Sequence, residues 1–165
     1  MSSILPKLAL SVRQPWTWAI AAGHKPVENR SWRAPNSALR YRGPVAIHAA
    51  RGMTRDEYED AADFMRSIGV ECPPAADLQR GGIVAIAIVT DIVKSMDSPW
   101  FFGPRGLVLD DVRPIDFIPC AGQLGFFEWR RDDTLAPPAP ARWMMPRQRV
   151  QADIPDLFMK GSGHG

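Results

Sequence analysis

The chain has 165 residues, ordinary shares of apolar and charged residues, and a formal net charge of +2. This length fits one domain with one sizeable core. No apolar run is long enough to span a membrane, and the first ten residues lack the apolar centre of a signal peptide. Two cysteines, Cys72 and Cys120, are too few for a disulfide framework or a cysteine zinc site. We therefore expect free thiols, a cytoplasmic protein and no metal or other cofactor.

The first elements are predicted from short apolar runs and from the proline and glycine residues that bound them. Residues 8–12 (LALSV) predict a buried strand, and residues 15–23 predict a helix. Pro15 suits the first turn of that helix and Gly23 suits its end. Pro26 disfavours helical backbone at the residue before it, so residues 27–32 should run extended.

A basic loop at 34–43 separates this segment from a strand at 44–50. Thr54 and Glu57 form the pattern of a capping box, which predicts a helix over residues 54–69. The run 82–93 is long, β-branched and almost wholly apolar, as in a central strand.

Two further strands are predicted at 106–117 and 122–130, and a proline-rich extension then occupies residues 131–165. We expect this extension to pack as an extended strap through Trp143, Met144 and Met145, with its last residues, GSGHG, disordered. The domain proper would span residues 1–130. Five to six strands with two main helices predict an α+β fold, a small and partly open barrel of mixed or antiparallel strands.

Positive charge is concentrated in the first third of the chain, where Glu28 is the only acidic residue before Asp56. The cations of this region are Lys7, Arg13, Lys25, Arg30, Arg33, Arg40, Arg42, Arg51 and Arg55. Such asymmetry favours an anionic partner, with nucleic acid the leading candidate. The alternative is a solvated basic surface that the acidic stretch 56–63 partly neutralises.

The stretch GHKPVENRSW, residues 23–32, places two cations, a carboxylate and an indole within ten residues. In an extended chain alternate residues share a face, so Glu28, Arg30 and Trp32 should point one way, with Lys25 reaching back to Glu28. Asn29 would then face the core and need backbone partners. Such a face could hold a nucleotide, because guanidinium binds phosphate or carbonyl groups and indole stacks on bases. The alternative is an exposed ion-pair cluster worth roughly 0–1 kcal/mol.

The spacing Gly23-x-Lys25-x-x-Glu28-x-Arg30 resembles the signature of the ASCH domain family. The flanking segments LSVRQPWTWAI, YRGPVAIHAAR, GPRGLVL and GQLGFFEW resemble the family's other strands and first helix, so the likeness covers residues 8–130. The resemblance implies a PUA-like β-barrel with a cleft lined by the signature residues. It also implies binding of RNA or of modified nucleotides.

One branch of this family hydrolyses N4-acetylcytidine, and its signature lysine, matched here by Lys25, takes a catalytic role. That branch has a threonine three residues after the lysine, where this chain has Glu28. The departure removes a hydroxyl nucleophile, although Glu28 could direct a water molecule as a general base. Other members are nucleic-acid binders, coactivator modules or ribonucleases.

Further residues are candidates for the same site. Gln14 could read a base edge, and of the two helical tryptophans, Trp16 and Trp18, at most one can line a cleft. His48 is the histidine best placed to act as an acid or base, although a structural role is the alternative. Arg33, Arg40, Tyr41 and Arg42 form a basic loop of the kind that tracks a single-stranded backbone. In SPWFFGPRG, Arg105 could meet a phosphate, while the aromatic residues form either a flap or a plug in the barrel end.

Three functions remain open at this stage. The leading one is a PUA-like domain that binds RNA, single-stranded nucleic acid or a modified nucleoside. The second is a hydrolase acting on an acylated nucleoside or on single-stranded RNA, with Lys25, Glu28 and His48 as candidate catalytic residues. The third is a protein-interaction module whose cleft has no ligand.

Overall fold

The computed structural model describes residues 4–146, in which one sheet of six strands is accompanied by two α-helices. In chain order the elements are β1 (Leu8–Val12), α1 (Trp16–Ala21), β2 (Val27–Arg30), β3 (Gly43–Ala49), α2 (Arg55–Ser67), β4 (Gly82–Val93), β5 (Arg105–Pro119) and β6 (Phe126–Glu128). Short 3-10 turns occur at Ser37–Arg40, Ala75–Asp77 and Arg142–Met144.

The strands form a mixed sheet in the order β2-β5-β4-β3-β1-β6. Only β1 and β3 pair in parallel, and every other neighbouring pair is antiparallel. The long strands β4 and β5 lose and regain register three times, and such bulges bend a sheet. The sheet therefore curls into a half-barrel, which confirms the predicted α+β fold.

The curl brings the two edges of the sheet close together. Arg30, at the end of edge strand β2, donates to the carbonyl oxygen of Ser11 in β1 at 2.7 Å. Trp32 lies beside Phe126 of the other edge strand, with ring centroids 5.3 Å apart. These side chains fill the gap that the backbone leaves unpaired.

The main core lies inside the curl and is made by the inward face of each long strand. Its centre consists of the buried side chains of Leu10, Val12, Ile20, Val45, Ile47, Ala49, Val84, Ala85, Ala87, Val89, Leu107 and Leu109. The side chains of β3 alternate between the two faces, because Val45, Ile47 and Ala49 face this core whereas Ala46 belongs to a cluster on the other face with Cys120 and Phe127.

The two helices pack together at one end of the half-barrel. Ile20 of α1 points into the main core, whereas Ala19 joins Ala61 and Met65 of α2 in a separate cluster with Trp100. The predicted capping box is confirmed: Thr54 Oγ1 accepts from the Glu57 backbone N–H, and the Glu57 carboxylate accepts from the Thr54 N–H.

Several predicted bounds differ from the structure. Helix α1 is shorter than residues 15–23 and ends before Gly23, whose φ of +84° lies in the left-handed region. The last strand covers only 126–128 rather than 122–130, because residues 121–124 are exposed and pair with no strand among the described residues. The predicted loop 34–43 contains a 3-10 turn that Asn36 caps through the Ala38 N–H.

Part of the C-terminal extension packs as expected. Met144 is buried beside Met53, Ala75 and Leu78, and Trp143 is partly buried against the same cluster. Met145 is 53% exposed, so its predicted packing role was wrong, because the 3-10 turn at Arg142–Met144 turns it outward. The predicted disordered end lies outside the described residues, and the boundary at residue 130 stays a prediction.

Both cysteines are free thiols, as expected. Among residues 4–146 no helix is long and apolar enough to cross a membrane.

Candidate functional site

A cavity of about 350 Å³ opens where the ends of β1 and β2 approach each other beside α1. Its lining residues are Ser11, Val12, Arg13, Gln14, Trp16, Lys25, Glu28, Asn29, Arg30, Glu57 and Phe102. Its volume falls within the range of small-ligand pockets, which run from about 300 to 1,000 Å³. Three of the four signature positions, Lys25, Glu28 and Arg30, therefore line one hollow.

Lys25, Glu28 and Arg30, which we call the charged trio, are joined by direct hydrogen bonds. Lys25 Nζ donates to Glu28 Oε1 at 3.1 Å and also to the carbonyl oxygen of Val27. Arg30 Nη2 donates to Glu28 Oε2 at 3.0 Å, so each carboxylate oxygen accepts from a different cation. Burial makes this more than a surface ion pair, because the Lys25 side chain is 2% exposed and that of Glu28 is 11% exposed.

Burial also shifts the proton equilibrium of the lysine. Removal from water lowers the pKa of Lys25 below the usual lysine value, and the nearby Arg30 charge acts in the same direction. Contact with the Glu28 carboxylate opposes this shift but does not reverse it. Lys25 thus yields its proton more readily than a surface lysine, so its neutral amine is more often available as a general base, and in either form it can donate hydrogen bonds.

An aromatic wall stands beside the charged trio. Trp16 of α1 lies with its ring centroid 5.8 Å from Lys25 Nζ. Phe102 is 58% exposed, and its ring centroid lies 6.2 Å from that of Trp16 and 5.1 Å from that of Phe64. An open ring of this kind can stack on a planar ligand.

Asn29 fixes the loop that carries this wall. Its side-chain Nδ2 donates to the Trp100 carbonyl oxygen, and its Oδ1 accepts from the backbone N–H groups of Phe102 and Gly103. These are the backbone partners that the sequence required for an inward-facing asparagine. Trp100 itself is buried, as a plug would be, whereas Phe102 lines the cavity.

Arg13 and Glu57 make a second ion pair at the cavity rim. Arg13 Nε and Nη2 donate to the two Glu57 carboxylate oxygens, each at 2.8 Å. This bidentate contact lowers the pKa of Glu57 and ties β1 to the first turn of α2. Glu57 therefore has two roles: it completes the capping box of α2 and it forms part of the cavity rim.

The predicted residues around the charged trio have different surroundings. Gln14 is buried, and its amide donates to the Gln79 carbonyl oxygen and accepts from the Trp18 N–H, so it holds α1 in place. Trp32 lies outside the cavity, with the Arg30 guanidinium 5.7 Å from its ring centre. Trp18 packs toward the cluster around Met144, so Trp16 is the helical tryptophan that lines the cavity.

The basic loop, by which we mean the segment from Arg33 to Arg42, lies apart from the cavity. Arg33 and Arg40 are exposed, and Arg42 is paired with Asp91 at 3.1 Å. Tyr41 packs on Phe126 and donates to the Pro44 carbonyl oxygen, and burial raises its pKa. None of these four side chains lines the cavity.

Arg105 stands directly opposite Arg30 in the register of β5 and β2. Opposed residues of an antiparallel pair leave the sheet on the same face, so Arg105 adds positive charge close to the charged trio. It does not line the cavity itself.

His48 lies beyond the charged trio, under a second and larger cavity of about 650 Å³. Its Nε2 is 2.9 Å from the Cys120 carbonyl oxygen, which can only accept, so Nε2 carries the proton. Its Nδ1 then accepts from the Ser11 hydroxyl at 2.9 Å. Burial lowers the pKa of His48, which keeps the ring neutral.

Two lining residues were missed by the sequence reasoning. Ser11 was counted only as part of a buried strand, although it is the one polar residue of LALSV and so carried a signal. Glu57 was assigned to the capping box alone, and its second contact joins positions 44 residues apart, which no local pattern reveals.

Within residues 4–146, no group of three or more histidine, cysteine, aspartate or glutamate side chains is arranged to hold a metal ion. The arrangement can instead bind a planar, polar ligand between an aromatic wall and a set of hydrogen-bonding charges.

Comparison with known proteins assigns the chain to a family. No curated protein matches the chain significantly. The model of the ASCH domain matches residues 10–104, a range that contains the charged trio and ends after the aromatic loop. ASCH domains have a PUA-like fold and are in general RNA-binding. The match covers more than half of the chain, and the chain therefore belongs to the ASCH domain family, within the PUA-like superfamily.

Proposed function

We propose that this domain binds single-stranded RNA by taking one base, unmodified or modified, into the cavity beside the charged trio. The observation that carries the proposal is the pairing of buried, hydrogen-bonded charges with an open aromatic wall in one hollow. RNA recognition by protein modules relies on this combination, since splayed bases are stacked on aromatic rings and bonded at their edges.

The charged trio supplies groups suited to a base edge. A base has both donors and acceptors along its Watson–Crick edge. Lys25 and Arg30 donate, and Glu28 accepts, so the trio can satisfy both kinds of group. Because Glu28 is already bonded on both oxygens, it also fixes the positions of the two cations before the ligand arrives.

The aromatic wall supplies the stacking. Phe102 is held by its backbone through Asn29, and Trp16 and Phe64 support its ring. Stacking of a base on an aromatic ring contributes about 1–3 kcal/mol. The basic loop lies outside this cavity and would contribute through long-range attraction of the phosphate backbone.

The test is the affinity of short single-stranded RNA for Phe102→Ala. We expect a loss of roughly 5- to 150-fold, which corresponds to the stacking energy of one base. Met145→Ala is a matched control, because Met145 is similarly exposed and lies outside the cavity. Unchanged affinity in Phe102→Ala, with native unfolding behaviour, would overturn the proposal.

A second candidate, hydrolysis of an acylated nucleoside or of RNA, is favoured by the lowered pKa of Lys25. A lysine that is more easily deprotonated can take a proton from water or from a ribose hydroxyl. Turnover of either substrate by the native protein, absent in a folded Lys25→Met variant, would establish this activity. A domain that neither binds nor cleaves nucleotides would instead be a protein-interaction module.

A further inference from the structure

The second cavity shares a wall with the first. It is bounded by Ser11, Arg13 and Arg30, which line both hollows, and on its far side by His48, Leu124 and Leu135. Its volume, about 650 Å³, also falls within the range of ligand pockets. The two hollows are therefore neighbours separated by a partition that carries two guanidinium groups.

Among the described residues, each guanidinium on this partition has one terminal nitrogen without a protein partner. Arg13 uses Nε and Nη2 for Glu57, and Arg30 uses Nη2 for Glu28 and Ser11. Within residues 4–146, neither Nη1 makes a hydrogen bond to the protein. In that range, Arg30 Nε is the only buried side-chain nitrogen or oxygen atom that lacks a hydrogen-bond partner. Arg30 Nη1 also lacks a partner, so it cannot be buried and is accessible to solvent. Two cationic donors thus remain available to an anion at the partition.

The floor of the second cavity is polar. Ser11 and His48 form a hydrogen-bonded pair there, and Gly122 passes directly over them. A Cβ at residue 122 would lie 2.7 Å from His48 Cε1 and 3.1 Å from Ser11 Oγ. The φ of Gly122 is not in the left-handed region, so glycine is required at this position for space rather than for backbone freedom. The missing side chain lets the Gly122 backbone pack against the pair. His48 is 1% exposed, so Ser11, which is only partly buried, is the member of the pair that can meet a ligand.

We propose that the two cavities together bind a dinucleotide step of single-stranded RNA, with one base in each hollow and the linking phosphodiester on the Arg13–Arg30 partition. This inference rests on the proposed function and extends it from one base to two. The Ser11 oxygen keeps lone pairs for a base edge, since its proton goes to His48. Leu124 and Leu135 supply apolar contacts for the base plane.

The inference requires both hollows and the charge between them. A nucleoside would occupy only one hollow, whereas a dinucleoside monophosphate would occupy both and place its single negative charge on the partition. A dinucleoside with an uncharged methylphosphonate link keeps the two bases and loses that charge. Affinities of these three probes for the full chain separate the contributions of base and phosphate.

We expect the dinucleoside monophosphate to bind roughly tenfold more tightly than the nucleoside, at the low end for an added base because no Phe, Tyr or Trp lines the second hollow. The methylphosphonate should lose part of this gain, because it keeps both bases and lacks the charge that the partition binds. Leu124→Glu should lower the affinity for the dinucleoside monophosphate by roughly tenfold and leave the affinity for the nucleoside unchanged. Leu124 is 99% exposed, so the variant should fold.

Ile4→Glu is the matched control, since Ile4 is 95% exposed and lines neither cavity. The inference would be overturned by equal affinity for nucleoside and dinucleoside monophosphate. It would also be overturned if Leu124→Glu bound the dinucleoside monophosphate as tightly as the native protein does. If the nucleoside still binds and depends on Phe102, the proposed function stands and only the two-base extension fails. If no probe binds, both fail together.

Discussion

The charged trio and the basic loop are neighbours in the sequence, yet the fold buries the first and leaves the second in water. Lys25 and Glu28 are almost inaccessible, whereas in the loop the side chains of the Arg42–Asp91 ion pair are 42% and 59% exposed. Charges in a low-dielectric site interact strongly and depend on their exact partners, whereas solvated charges are screened within about 10 Å at moderate salt.

The difference separates two ways in which a protein uses positive charge. The trio can recognise a ligand through fixed geometry, because its donors and acceptors are held before binding. The loop can attract any polyanion but cannot distinguish one base from another, since backbone contacts carry no sequence information. Mutations should therefore affect stability and selectivity in the trio, and salt dependence in the loop.

The largest expected effect is on stability, in Glu28→Gln. Removing one partner of a buried ion pair leaves an uncompensated charge, and such changes cost about 3–5 kcal/mol. Denaturant unfolding measures the loss. Glu128→Gln is the control, because the Lys7–Glu128 pair is exposed on a strand and its loss should cost no more than about 0.5 kcal/mol. Similar losses in the two variants would mean that the trio behaves like a surface ion pair.

The next effect is on proton binding by Lys25. Its pKa is lowered in the folded protein, so between that value and 10.5 the unfolded chain binds more protons than the folded one. The stability contribution of Lys25 therefore rises with pH across this window, by at most about 1.4 kcal/mol per pH unit.

Titration of lysine carbon resonances by NMR, with Lys25→Met to assign the signal, tests this directly. Lys25 should lose its proton at a lower pH than the usual lysine value of 10.5. A Lys25 signal that titrates at that usual value would contradict the assigned burial.

Local patterns predicted much of this structure. The capping box and the face shared by Glu28 and Arg30 each depend on residues a few positions apart, where chain geometry leaves few choices. The signature spacing was also local, and it pointed to the family that the comparison confirmed.

The rest depended on contacts between distant residues. The Arg13–Glu57 pair, the support of Phe102 by Asn29 and the His48–Ser11 bond join residues 37 to 73 positions apart. Gln14 and Trp32 show the same limit, since their contacts with Gln79 and Phe126 join residues far apart in the sequence. Whether any predicted residue contacts a ligand stays a prediction.

The smallest expected effect concerns the basic loop, in Arg40→Ala. Affinity for single-stranded RNA should fall only slightly at moderate salt, because screened charges contribute little individually. The slope of log affinity against log salt should become shallower by about 0.7, the change expected when a protein neutralises one phosphate fewer on a single strand. Arg66→Ala is the matched control, since Arg66 is exposed on α2 and pairs with Asp63. An unchanged slope in Arg40→Ala would mean that the loop does not track the RNA backbone, and the charged cavities alone would then account for binding.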